Sequence, residues 1–192
     1  RFVAEAKALG PDFWDRANFW GSARLLLLMG HARDLVEIYD QSKPAIQRGQ
    51  LDIDTVAVPE LIVALRQARR TAEADRLLQI FAKNTSQLPK AGLGGAIRTM
   101  NEATIDALSG RKDRAARKID ELSRRSPLNL NLVPPISLLN NPLLAALKDD
   151  PRLAAADERV RIALNSERLK AGFPPISREA WLNNAKSLLT KN

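Results

Sequence analysis

Residues 110–127 read GRKDRAARKIDELSRRSP, and this stretch decides the fold. Gly110 is a turn glycine that breaks the preceding helix. Ala115, Ile119 and Leu122 then recur at spacings of four and three, on one face of a helix over 113–125. Pro127 stops it, because proline cannot continue a helix. A small residue at Ala115 lets this helix approach its predecessor closely, and Ile119 one turn later fills the gap.

The same punctuation occurs twice upstream. Gly30 precedes Leu35 and Tyr39, with Phe19 and Ala23 ahead of it. Arg69 precedes Ala74 and Leu78, with Leu61 and Leu65 ahead. From turn to turn the separations are 39 and 41 residues. Hydrophobic spacing predicts helices over 13–29, 34–47, 59–69, 72–84, 96–109 and 113–125, with Pro44 ending or kinking the second and Thr71 capping the fourth. Residues 51–58 read as a connector, and 85–95, with Pro89 and three glycines, as a loop. Asn141-Pro142 and Asp150-Pro151 each read as a cap followed by proline at the first helical position. They predict a short helix over 142–148 and a longer one over 151–171. Gly172 and Pro174-Pro175 stop the latter, and Ser177 caps a final helix carrying Trp181, Leu182, Leu188 and Leu189. No alternating strand pattern of useful length occurs. Leucine (29) and alanine (28) dominate while aromatics make up 5%, which favours helices over strands. The fold class is all-α.

These spacings resemble the second half of a tetratricopeptide repeat: a turn glycine, Ala-x3-apolar, then proline. That family's period is about 34 residues, so the connectors here are longer; an irregular helical bundle is the alternative. The resemblance implies antiparallel helix pairs at about 13–47, 56–84 and 96–126, stacked as a right-handed α-solenoid in a single domain over 1–192. Gly30, Leu35, Tyr39, Ala74, Leu78, Gly110, Ala115, Ile119 and Pro127 would be its repeat-packing residues. Residues 136–175, with LLNNPLLAALKDDPRL at 138–153, resemble the closing segment of bacterial repeat domains that follow class III nucleotide cyclase or winged-helix modules. That resemblance implies capping helices over 136–192, with Pro142, Leu143, Leu144 and Leu147 covering the open end of the array, and a parent that is a bacterial multidomain regulator.

By the same resemblance, a groove for a protein or peptide runs along the first helices of the pairs. Its facing positions are Trp20 and Arg24, then Val63, Arg66 and Gln67, then Met100, Thr104 and Ala107, the alternative being that Trp20 and Met100 are core residues. Repeats that clamp a terminal carboxylate use asparagine and lysine at several of these places; Arg24, Val63 and Thr104 replace them. A mixed apolar and arginine-bearing groove suits an extended or helical peptide of some acidic character.

Thirty Lys and Arg against 22 Asp and Glu give a net charge of +8, so nucleic acid is the second class of partner. Arg111, Lys112, Arg114, Arg117, Lys118, Arg124 and Arg125 cluster on one helix and turn, but without the interleaved aromatics that stack bases. A third reading is a small-molecule cavity beneath Trp20, Leu27 and Tyr39. Zero cysteines exclude thiolate metal sites and a cysteine nucleophile. His31, the single histidine, has no ligand set around it and reads as an exposed turn residue. Gly92 to Gly95 lack the strand and Gly-Lys-Ser/Thr ending of a phosphate loop, and Asp149-Asp150 read as capping residues. No catalytic motif occurs, so the expectation is a non-enzyme without cofactor or metal. The longest apolar run, 25–29, is far below the roughly 20 residues of a membrane span. The chain begins at Arg1 without a secretory signal and reads as a piece of a longer or processed protein.

Overall fold

Three turns with one hydrogen-bond pattern organise the chain. In the computed structural model, which describes residues 2–9, 19–47, 57–130 and 136–183, Gly30, Arg69 and Gly110 all have left-handed φ, at 80°, 61° and 75°. Around each, three backbone N–H groups point back into the preceding helix. Met29, Gly30 and His31 donate to the carbonyls of Leu25, Leu27 and Leu26; Ala68, Arg69 and Arg70 to those of Ala64, Arg66 and Leu65; Ser109, Gly110 and Arg111 to those of Ile105, Ala107 and Asp106. This is a Schellman closure, which satisfies carbonyls a helix end otherwise leaves open. A fourth copy forms at Gly172 (φ 78°), where Phe173 donates to Arg168.

Among the described residues every regular element is helical and none is a strand. The α-helices are α1 (Phe2–Leu9), α2 (Phe19–Leu28), α3 (Ala32–Gln47), α4 (Val58–Gln67), α5 (Thr71–Gln87), α6 (Gly92–Leu108), α7 (Lys112–Arg125) and α8 (Pro151–Lys170). Between α7 and α8 lie 3₁₀ turns at Pro127–Leu130, Leu138–Asn140 and Pro142–Leu147, and 178–183 are helical again. The chain forms two compact units, Arg1–Asn84 and Thr85–Asn192.

In the first unit α2 packs on α3, and α4 packs on both. Leu26, Leu35, Ile38, Leu61, Ile62 and Leu65 are fully enclosed there. At the position five residues after each turn, Leu35, Ala74 and Ala115 are all 0% exposed; four later, Tyr39 and Ile119 are buried and Leu78 is half-buried. In the second unit α6 packs on α7 and α7 on α8, while the Pro142–Leu147 turn sits against both α6 and α7. Leu143, Leu144 and Leu147 are buried, Leu144 and Leu147 in the same core as Ala115 and Ile119, and Pro142 is half-buried. Pro127 is half-buried at the start of its 3₁₀ turn.

The helix read over 34–47 does run to Gln47, with Pro44 inside α3 rather than ending it; the lost hydrogen bond is tolerated on a helix whose inner face buries Leu35, Ile38, Tyr39 and Ser42. Elsewhere three boundaries differ from the sequence reading. Thr71 opens α5, and that helix extends to Gln87. The short helix at 142 is 3₁₀ rather than α, with Asn141 Oδ1 accepting from Leu143 N at 3.0 Å as predicted of a cap. The glycines of 92–95 are not a loop but the first turn of α6. There the preceding turn folds back so tightly that a Cβ on Gly95 would lie 2.6 Å from Lys90 O. Arg98 fastens that turn, donating from Nη1 to the carbonyls of Ser86 and Leu88 at 2.9 and 3.0 Å. Glycine was needed for close approach, not for flexibility. Asp150 and Ser177 cap as expected, accepting from Arg152 N at 2.9 Å and Ala180 N at 3.1 Å. The predicted positions 13–18, 51–56, Leu188 and Leu189 lie outside the described residues.

Candidate functional site

The three turns place the groove candidates in one register: Arg24, Val63 and Thr104 each stand six residues before their turn residue. In the first unit α2 and α4 touch directly, so Arg24, Val63, Arg66 and Gln67 lie on adjacent helices. Arg24 is committed within the fold. Its Nε and Nη2 both donate to Glu60 Oε1, at 2.9 and 2.8 Å. Glu60 sits in the first turn of α4, 1% exposed, and its Oε2 has no hydrogen-bond partner. An unpaired buried carboxylate is costly, so Arg24 serves first to neutralise Glu60 and join α2 to α4. Arg66 Nη2 donates to Asp75 at 3.0 Å. Val63 is half-buried and Gln67 exposed. The Trp20 side chain lies outside the described residues, and with it the cavity expected beneath it.

The candidates on α6 turn inward. Thr104 and Ala107 are 3% and 4% exposed, and Met100 is half-buried against the core. Thr104 donates its hydroxyl to Met100 O at 3.0 Å. The Pro142–Leu147 turn packs against α6 as well as α7, and Ala107 and Met100 belong with Leu144 and Leu147 to one core. Two of the three residues expected to face a ligand are therefore core.

Two ionic clusters were not legible from spacing. In the first unit Arg70 forks onto Asp40 (2.7 and 2.8 Å) and Glu73 (2.8 and 2.7 Å). Lys43 Nζ reaches Glu73 at 2.8 Å and stands 5.1 Å from the Tyr39 ring centre, with the Arg70 guanidinium at 5.9 Å. Arg70, then Lys43, hold the Glu73 carboxyl down at about 2, and Arg70 also lowers Asp40. In the second unit Asp106 occupies the position where the first two pairs bury Leu26 and Leu65, four before the turn. It is 2% exposed and accepts from Arg111 Nε at 2.6 Å and Lys118 Nζ at 2.8 Å, with Arg114 Nε at 3.7 Å. Burial pushes its carboxyl up, but Lys118 and Arg111 outweigh that and leave it below the usual carboxylate range.

Much of the expected basic cluster is likewise neutralised in place. Arg117 pairs with Asp113 and Arg124 with Asp120, and Arg152 and Arg159 on α8 reach the same two acids at 2.9 and 2.8 Å. The bridges tie α7 to α8. His31 Nδ1 lies 2.7 Å from Asp34 Oδ2, half-exposed as expected of a turn residue.

A third buried carboxylate is Asp157 on α8. It is 3% exposed and accepts from Leu138 N at 2.6 Å and from Trp181 Nε1 at 3.0 Å. Burial raises its carboxyl above the usual range, against the opposing pull of the Leu138, Trp181 and Ser137 donors. One side chain thereby joins α8, the 138–140 turn and the returning C-terminal segment. Nearby, an open groove of about 370 Å³ runs between Ser126–Asn129 and Ala163, Ser166 and Glu167. Exposed Leu128 lines it, and Ile162 and Leu169 stand exposed on the same part of α8.

No group of His, Cys, Asp or Glu among the described residues could hold a metal ion. Among them, too, no helix is long and apolar enough to cross a membrane. Asp106, Asp120 and Asp157 each accept on both carboxylate oxygens from donors of the same unit. Compared with known proteins, the chain matches no family model, no curated protein and no solved structure.

Proposed function

We propose that this chain is a non-catalytic helical-repeat domain that binds a peptide or partner segment, working as one module of a bacterial multidomain regulatory protein. The observation that carries the reading is the thrice-used turn, with the same three hydrogen bonds and the same left-handed residue at Gly30, Arg69 and Gly110. Supporting it, α4 packs on both members of the pair before it, as a tetratricopeptide-like, right-handed array requires. The binding surface on this reading is the α2–α4 face, with Val63, Arg66 and Gln67 as its contacts and Arg24 as its internal brace. Ala107 and Thr104 contribute nothing to it.

The test is selection from a random 12-residue peptide display library on the purified full chain. Peptides enriched on the wild type and lost on Val63→Glu/Gln67→Glu, with unchanged far-UV circular dichroism, support the reading. No enrichment above an unrelated helical control overturns it. Arg24 is unsuited as the probe, since its removal strands Glu60.

A second reading has one observation in its favour. Seven of the eight excess positive charges fall in the second unit, which holds 18 Lys and Arg against 11 Asp and Glu. Fluorescence anisotropy with a 30-nucleotide single strand, measured between 50 and 200 mM salt, decides it: nucleic-acid binding through several phosphates loses orders of magnitude in affinity over that range.

A further inference from the structure

Beyond Gly172 the chain returns along α8 and stays non-helical until residue 178. In this strap, residues 172–175 and 177–180 are exposed, and Ile176 alone is partly buried, against the core of the second unit. Side chains spaced along one face of α8 hold it. Asn165 Oδ1 accepts from Ile176 N at 2.7 Å, and its Nδ2 donates to Ile176 O at 2.9 Å. Arg161 Nη1 donates to the same carbonyl at 3.0 Å, and Arg168 Nε to Pro174 O at 2.9 Å. All four bonds read the main chain of the strap. Of the segment's side chains, Ile176 packs against the core, while the exposed Phe173 ring lies 5.7 Å from the Arg168 guanidinium.

Fixed side chains that satisfy the backbone of an extended segment, with an apolar pocket for one residue, are the chemistry of a peptide-binding groove. The two prolines fit that role, because their fixed φ leaves less freedom to lose on docking. We propose that the Arg161–Asn165–Arg168 face of α8 is a binding site for extended peptides of the type apolar-Pro-Pro-Ile, occupied here in cis by residues 173–177. The strap is then an intramolecular competitor, and a ligand in trans must displace it while Trp181 stays anchored. This site stands apart from the α2–α4 face, and either can fail without the other.

The probe is a fluorescein-labelled peptide AGFPPISREA, the sequence of 171–180, titrated into three full-length chains. These are the wild type, Ile176→Asp, which empties the pocket, and Pro174→Gly/Pro175→Gly, which loosens the strap without touching the pocket. A tethered competitor acts at an effective concentration near millimolar. The expected result is saturable binding to at least one variant, roughly ten-fold or more tighter than to the wild type, and abolished when Asn165→Ala is added. Absence of saturable binding to both variants, folded by circular dichroism, overturns the proposal. So does binding that survives Asn165→Ala, and so does unfolding of both variants, since a displaceable strap cannot be essential to the fold.

Discussion

Asp157→Ala tests the account of the second unit most directly. The substitution removes the acceptor of the Ser137 hydroxyl, which can rotate to another acceptor, and of two buried donors fixed in direction, Leu138 N–H and Trp181 Nε1–H. Each buried donor left unsatisfied costs about 1–3 kcal/mol, so the pair contributes about 2–6 kcal/mol. Part of that is returned, because the carboxylate itself is held at a cost that shows in its raised proton affinity. The expected net loss is about 2–4 kcal/mol. It is measured by urea unfolding of the full chain, with hydrogen exchange to locate it. Protection should fall in peptides covering 138–147 and 176–183, while 58–68 stays unchanged. Asp157→Asn retains one carbonyl oxygen and should lose about half as much. A loss under about 1 kcal/mol for the alanine variant, or a loss of protection spread evenly over both units, would refute the reasoning. The pH dependence has a definite sign. A carboxyl raised on folding contributes stability below the ordinary carboxylate range and loses it as pH rises through the raised value, so the wild type's advantage over Asp157→Asn should shrink with rising pH.

Glu73 behaves in the opposite sense: Arg70 and Lys43 hold it at about 2, so its contribution is full above its unfolded value near 4.5 and is lost as pH falls through about 2. Acid titration of the stability difference between wild type and Glu73→Gln should show that difference closing over this window. Arg69→Gly should stabilise the chain by about 0.5–1 kcal/mol, since Arg69 holds a left-handed φ of 61° where the sister turns have glycine; a fall in the urea midpoint would contradict it. Gly95→Ala should cost about 1–3 kcal/mol, because the new Cβ meets backbone at Lys90 O rather than a movable side chain. Gly94→Ala, which meets only the Pro89 ring at 3.0 Å, should cost less by the same melt.

The helices and their stops were legible because their causes are local. Gly30, Gly110 and Gly172 end helices through the sterics of their own φ, and Asn141-Pro142 and Asp150-Pro151 start them through bonds spanning two residues. Arg69 stood in for glycine, and it was aligned with the other two turns through Ala74 and Leu78, which follow it at the spacing of Leu35 and Tyr39 after Gly30. Where a local signal had two meanings, the sequence misled. Glycines 92, 94 and 95 read as a loop, yet they open a helix: Gly92 holds a left-handed φ, and Gly95 lies where a Cβ would meet Lys90 O. Thr104 and Ala107 stood at ligand-facing register, yet both are buried on α6, a helix that packs against α7 and against the Pro142–Leu147 turn some 40 residues on.

The sequence by itself determined an all-α fold class, the three equivalent turns and a net charge of +8. Tertiary structure alone decided which polar groups became buried partners: Glu60 with Arg24 across 36 residues, Asp157 with Trp181 across 24, and Asn165 with Ile176 across 11. The physical reason is range. Helix propensity, capping and turn sterics act within about four residues and are written in the local order of the chain. Desolvation of a carboxylate or an amide becomes decisive only after distant helices have excluded water around it, and then the nearest donor, wherever it lies in the chain, settles what that side chain does.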